Sequence, residues 1–304
     1  MAALIIDTDG ASDDAVALLW AAPELVAVTV TGGVVPVDQA VHNVLVTLHV
    51  AGRDDVPVFA GAARSLLGRP FEEAADVHGA GGLGGLRFDA PAGRAAMAEP
   101  AADALDRLTA DAPVTLVTLG PMTNLATALA RRPSLATRPV TVIAMAGAQD
   151  AVGNHTAVAE YNVWCDPEAA SAVVASGLDV TLVGWDVSRR DAVIGDAERA
   201  RLAAIGTGPA RFLGRVTEAL ERFCREQQGL PGYDLPDAAA VAVALDPGVV
   251  TRSSRHRVGV ETGGRLTRGM TVVDHRAGTE PNATVVWAID HARFMDGLAG
   301  ALGG

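Results

Sequence analysis

The chain has 304 residues, of which 49% are hydrophobic and 20% charged, and a formal net charge of −12. That length suits one large α/β domain with a sizeable core, and an acidic surface with no basic stripe argues against nucleic acid or an anionic membrane as partner. There is no lysine: all 24 basic residues are arginine, which excludes Schiff-base chemistry and a phosphate-gripping lysine of the G-x-x-x-x-G-K type.

The first apolar run, Leu4 to Ile6, reads as a short buried strand. It ends in Asp7-Thr8-Asp9-Gly10-Ala11-Ser12-Asp13-Asp14, and residues 15–20 then read as helix. Val26–Thr31 is a β-rich run. Residues 38–51 have helical spacing and stop at Gly52, and Val56–Ala60 is a short strand. Residues 76–85 read as a flexible glycine-rich loop, outside any core element. Helices are predicted over 101–111, 123–132 and 167–176, with strands over Val114–Leu119, Pro139–Met145 and Val180–Val183 between and after them. Residues 196–228 look largely helical with a break near Gly206-Thr207-Gly208-Pro209. Residues 237–245 form an apolar helix, and 256–274 with 284–290 read as late strands, a candidate hairpin.

Short apolar strands alternating with helices predict an α/β fold, with a mainly parallel central sheet flanked by helices. No linker or repeat divides the chain, so a single domain over 1–304 is expected. Cys165 and Cys224 have no metal-type spacing and fit buried thiols in a reducing compartment. No basic n-region precedes the first strand, and no apolar run reaches the ~20 residues a bilayer needs, so a soluble cytoplasmic protein is expected.

Carboxylates as crowded as Asp7, Asp9, Asp13 and Asp14 stay ionised together only with a compensating cation or strong hydrogen bonds. Acids also cap helices, but four exceed what capping needs. Several acidic oxygens on a strand-to-helix turn suit a hard cation such as Ca²⁺ or Mg²⁺, and that turn is where open α/β sheets bind ligands. Where the fourth long strand stops, at Leu119-Gly120-Pro121, a freed carbonyl is a further candidate ligand. In residues 153–168, Asn154, Glu160 and Asn162 are polar groups among apolar ones. Glu160 and Asn162 face the same way if the chain is extended, and could bond vicinal sugar hydroxyls. Asp237 opens the apolar helix, His78 is a candidate mobile contact, and Trp185 either stacks a planar ligand or fills space.

Together these motifs resemble the inosine–uridine-preferring nucleoside hydrolase family nearly end to end. DTDGASDD at 7–14 resembles its DTDPGxDD signature, LGPMTN at 119–124 its GPLTN turn, and GNHTAVAEYNVWCDPE at 153–168 its GNxTPxAEFNxxxDPE stretch; RGMTVVD at 268–274 and Pro281-Asn282 match its C-terminal pattern. The resemblance implies Ca²⁺ held by Asp9, Asp14, Asp237 and the Leu119 carbonyl, with Asp9 as general base on a metal-bound water. It implies ribose contacts from Asp13, Met145, Asn154, Glu160 and Asn162, and base contact from His78 in a closing loop. Trp185 is our own candidate for stacking the base. The family's homodimers or homotetramers imply the same assembly here.

Three positions depart from the family pattern. Pro236 stands where many members have a histidine that protonates the leaving base, Val34 where many have asparagine, and Ala148 breaks the MGGN-like stretch. The lead expectation is therefore a Ca²⁺-dependent nucleoside N-ribohydrolase with altered leaving-group activation. A non-catalytic ribonucleoside-binding homologue and a glycosyltransferase using the same site are the alternatives. A phosphatase of the haloacid dehalogenase type, suggested by Asp-x-Asp, needs a later lysine that the chain lacks.

Overall fold

A computed structural model describes residues 2–303. In chain order the strands are β1 (Ala3–Thr8), β2 (Leu25–Val30), β3 (Val58–Ala60), β4 (Val114–Thr118), β5 (Val140–Met145), β6 (Asp179–Val183), β7 (Val193–Ile194), β8 (Tyr233–Asp234), β9 (Val250–Val260), β10 (Thr271–Asp274) and β11 (Ala283–Ile289). The helices are α1 (Ser12–Ala21), α2 (Val37–Val50), α3 (Ala75–His78), α4 (Ala101–Leu108), α5 (Thr123–Arg131), α6 (Tyr161–Cys165), α7 (Pro167–Val174), α8 (Trp185–Asp191), α9 (Asp196–Ala204), α10 (Gly208–Val216), α11 (Glu218–Gln227), α12 (Pro236–Leu245) and α13 (His291–Gly303).

Nine strands form one sheet in the order β10-β9-β11-β6-β5-β4-β1-β2-β3. From β3 to β11 every neighbouring pair is parallel, while β9 runs antiparallel to β11 and to β10. The mainly parallel expectation holds; the stretch 256–274, expected as one strand beside 284–290, is instead two strands, β9 and β10, antiparallel to one another, with β9 also antiparallel to β11. Ile6, Val28, Val117 and Ile143 point into one core with α1, α2 and α12, while Ile5, Ala27, Leu116 and Val142 point into a second with α4, α5 and α7. Both faces are covered, which is why the central strands read as unbroken apolar runs.

The order β3-β2-β1-β4-β5-β6 places a topological switch point between β1 and β4: the chain winds to one side of β1 and then the other. Asp7 pairs with Thr118 across that junction. The connections diverge there and leave a crevice beyond the strand ends, into which β1, β4 and β5 deliver Asp9, Leu119 and Met145.

Several expectations need correction. The 76–85 segment is no loose loop: α3 ends at His78, and Leu83 is only 2% exposed within the core. Gly79, Gly81, Gly82, Gly84 and Gly85 all have positive φ, so the glycines specify a fixed turn. α6 interrupts the predicted polar loop at 153–168. α8 and α13 were not predicted, and β9 begins at Val250 rather than near 256. Among the described residues no helix is long and apolar enough to cross a membrane.

Candidate active site

Beyond Thr8 the chain turns at Gly10, where φ is +72° and an added Cβ would lie 2.8 Å from the Ala40 carbonyl, so only glycine fits there without strain. α1 then starts at Ser12 with Asp13 and Asp14 in its first turn. α12 starts at Pro236 with Asp237 in its first turn, proline being tolerated there because that N–H has no helical partner. Two helix N-termini therefore point their acids at the end of β1, where the helix dipoles favour negative charge.

Asp9, Asp13, Asp14 and Asp237 are 2%, 8%, 1% and 2% exposed and line one cavity of about 300 Å³ with Leu119, Met145, Glu160 and Asn162. Burial, reinforced by Asp14, holds the Asp9 carboxyl well above the usual carboxylate range. Burial, reinforced by Asp14, Asp13 and Asp9, does the same to Asp237. Burial pushes Asp13 up to about 7. Burial and the neighbouring Asp13 raise Asp14 too, against the Thr8 hydroxyl and the Ala11 N–H at 2.9 Å that its carboxylate accepts.

Asp13 Oδ1 is buried with no hydrogen-bond donor, and no arginine lines the cavity. Oxygens of Asp13, Asp14 and Asp237 lie within 4.8 Å of one another. An all-oxygen donor set with an orphaned buried oxygen fits a hard divalent cation. This trio differs from the expected ligands in containing Asp13 rather than Asp9. Asp9 Oδ2 instead accepts the Val34 N–H at 2.9 Å, so Val34 acts through its backbone, where a side chain was expected to matter.

Glu160 caps α6 and is not part of an extended run. Its carboxylate turns back to accept N–H groups of Asn162 at 2.7 Å, Gly147 at 2.9 Å and Val163 at 3.2 Å. Burial outweighs these bonds and pushes it up to about 7. Asn162 Nδ2 donates to the Leu119 carbonyl at 2.7 Å and the Met145 carbonyl at 3.1 Å, tying together the ends of β4 and β5. Asn154 also lines the cavity, and its Oδ1 accepts the Tyr161 N–H at 2.9 Å.

His78 is 8% exposed, with Nδ1 2.9 Å from Ser12 Oγ and 3.4 Å from Asp13 Oδ1. Burial pulls its pKa down to about 4. It is a wall of the cavity rather than a solvated loop residue. Trp185 does not line the cavity: it is buried in the core with the Arg189 guanidinium 4.9 Å from its ring centroid. That position does not support the stacking expectation. Ala148 is likewise buried and outside the lining.

Other lining residues had not been singled out: Glu72, Glu73 and Asp76 near α3, Tyr161 and His155, and Phe223 and Gln228 at the end of α11. His155 and Tyr161 fall inside the 153–168 motif, but no local motif marks Glu72, Glu73, Asp76, Phe223 or Gln228; only the fold brings these segments together. Two motif residues prove to be braces. Asn124 Nδ2 donates to Asp7 Oδ1 at 2.8 Å and its Oδ1 accepts the Ala62 N–H at 2.9 Å. Asp166 caps α7 and accepts from Thr123 Oγ1 and Leu66 N, both at 2.6 Å.

Residues 4–296 match the family model for inosine-uridine preferring nucleoside hydrolase. The chain is 37% identical to the pyrimidine-specific ribonucleoside hydrolase RihA of Salmonella enteritidis PT4, over 97% of this chain and 96% of that protein. It superposes on a plant nucleoside hydrolase with a TM-score of 0.93 and 30% identity, covering 99% and 98% of the two chains. A purine-preferring ribonucleoside hydrolase from Gardnerella vaginalis gives 0.88 and 29%, covering 99% of each. The chain belongs to the inosine-uridine preferring nucleoside hydrolase family, whose members are enzymes acting on N-glycosyl compounds.

Proposed function

We propose that this chain hydrolyses the N-glycosidic bond of a ribonucleoside to free base and ribose, with a divalent cation, Ca²⁺ by its preference for many oxygen ligands, held by Asp14, Asp237, Asp13 or Asp9 and the Leu119 carbonyl. The observation that carries this reading is the convergence of four nearly buried aspartates at the switch point, with Asp13 Oδ1 left without a donor.

Glycosidic cleavage passes through an oxocarbenium-like sugar. A cation held by these oxygens would supply the charge that lowers the pKa of an attacking water. Asp9, oriented by the Val34 N–H, accepts the proton of that water. Asp13, Glu160 and Asn162 line the cavity as acceptors and donors suited to ribose hydroxyls. Glu160 is held by three backbone N–H groups, so its charge is oriented in advance toward the cation that forms on the sugar. Asn154 and Met145 complete the ribose wall, and His78 closes it.

The relatives leave the base open, since one is named pyrimidine-specific and another purine-preferring. The test is base release from a ribonucleoside panel and 4-nitrophenyl riboside, with Ca²⁺ and with chelator. Chelator-sensitive release is expected. Ribose binding with no release from any riboside would replace the hydrolase with a binding protein.

A further inference from the structure

We propose that the preferred substrates are ribonucleosides whose base is already cationic: an N-ribosylated pyridinium or an N7-alkylated purine. The inference rests on the hydrolase reading above and names the substrate class for that site.

The first observation is charge. Eight carboxylates line the cavity and no arginine does. Three of them, Glu72, Glu73 and Asp76, sit on one exposed segment, away from the buried aspartates. The cation would sit among the buried aspartates, so Glu72, Glu73 and Asp76 remain as an acidic rim that it does not cover. A neutral base departs with the glycosidic electron pair as an anion, which this field opposes.

The second observation is the missing proton. Pro236, beside Asp237 in the lining, has neither a side-chain proton nor a backbone N–H. His155 lies 3.8 Å from Glu72 and stacks on Trp164 with ring centroids 3.9 Å apart. Desolvation lowers its pKa and so disfavours the protonated form that could donate to a leaving base.

A cationic base needs no acid. Water adds through oxygen to C1′ and loses one proton to Asp9. The C1′–N pair returns to the ring nitrogen and cancels its charge. The products are ribose, a neutral base and one proton, which balances the starting cation. Two further groups suit such a base. Phe223 is an aromatic residue of the lining, a side chain whose ring attracts cations. Gln228 Oε1 is buried without a donor, ready for an amide or amino N–H.

The experiment compares Ca²⁺-loaded enzyme on 7-methylguanosine and guanosine at pH 6, with nicotinamide riboside, uridine and 4-nitrophenyl riboside alongside. The expected kcat/KM ratio of 7-methylguanosine to guanosine is at least ~10³, of the order that absent general-acid help leaves. KM separates recognition from the intrinsic lability of the cationic bond. The triple variant Glu72→Gln, Glu73→Gln, Asp76→Asn is expected to raise KM for 7-methylguanosine about tenfold and that for guanosine under about threefold, an effect that weakens with salt. Pro236→His is expected to narrow the kcat/KM ratio by speeding guanosine. Guanosine or uridine cleaved within about tenfold of 7-methylguanosine, or equal KM changes in the triple variant, overturns the inference while the hydrolase stands. Release from 4-nitrophenyl riboside alone also overturns it. No release from any riboside overturns the hydrolase reading and this inference with it.

Discussion

Asp9 is confined by glycine on two sides. A Cβ on Gly33 would fall 2.0 Å from Asp9 Oδ2, and one on Gly120 would fall 3.1 Å from Asp9 Cβ. The carboxylate therefore has one place to be, and the Val34 N–H sets its angle. Asp9→Asn keeps that acceptor and loses the base, so kcat should fall ~10²–10⁴-fold with far less change in KM. Steady-state kinetics on 4-nitrophenyl riboside checks this; a raised KM with kcat unchanged would assign Asp9 to binding. Asn124 governs a different buried acid. It donates to Asp7 Oδ1, beside the Thr29 hydroxyl at 2.6 Å, while Asp7 Oδ2 has no donor. Burial pushes Asp7 up to about 7 against these two bonds. Asn124→Ala should cost about 2–3 kcal/mol in urea unfolding, because it leaves a buried carboxyl with a single partner. A loss under about 0.5 kcal/mol would mean that water replaces the amide.

The glycine turn after α3 shows how an element can serve the site without touching substrate. Gly84 has φ of +69°, and a Cβ there would sit 2.8 Å from the Val216 carbonyl. A Cβ on Gly79 would sit 2.3 Å from the Gly85 nitrogen. The turn locks α3 against the junction of α10 and α11, and so holds His78 and Asp76 near Phe223. Gly84→Ala should raise KM several-fold, by roughly the 1 kcal/mol scale of left-handed strain, with kcat much less affected. A kcat loss at unchanged KM would place the turn in the chemistry instead.

What the sequence revealed follows the same logic. β1, β4 and β5 were legible because strands buried on both faces are continuous apolar runs. The aspartates of 7–14 were legible because they adjoin in the chain. β9 was only partly legible: Arg252, Ser253, Ser254 and Arg255 are exposed and break its pattern. α6 hid because its N-cap, Glu160, reads as one more polar residue of a loop. Trp185 was ambiguous because a tryptophan after a strand can face either way; here it packs in the core against Arg189. Glu72, Phe223 and Gln228 left no signal, since three distant segments must fold before they share a wall.

At the scale of the whole molecule, the acids of the site set the pH dependence of stability. Asp7, Asp13 and Glu160 are each raised to about 7 by burial. Between their unfolded values near 4 and about pH 7, the folded chain holds more protons than the unfolded chain, so stability falls as pH rises through that window. The depressed acids act at lower pH. Asp274, held at about 2 by Arg276, contributes stability above an unfolded value near 4 that is lost as pH falls toward 2. Such exposed pairs contribute little. Cation-free protein should therefore have its highest Tm near about pH 5 and melt progressively lower toward about pH 8. A divalent cation binds the ionised acids and stabilises by mass action. The Tm gain from millimolar Ca²⁺ should accordingly grow from pH 5 to pH 8 and offset the loss. Scanning calorimetry with chelator and with Ca²⁺ across that range measures both. A chelated Tm that is flat or rising from pH 5 to pH 8 would mean that the buried carboxyls stay ionised without a cation, held by their hydrogen bonds alone. A Tm that millimolar Ca²⁺ leaves unchanged across the range would mean that the orphaned Asp13 oxygen is not a cation ligand.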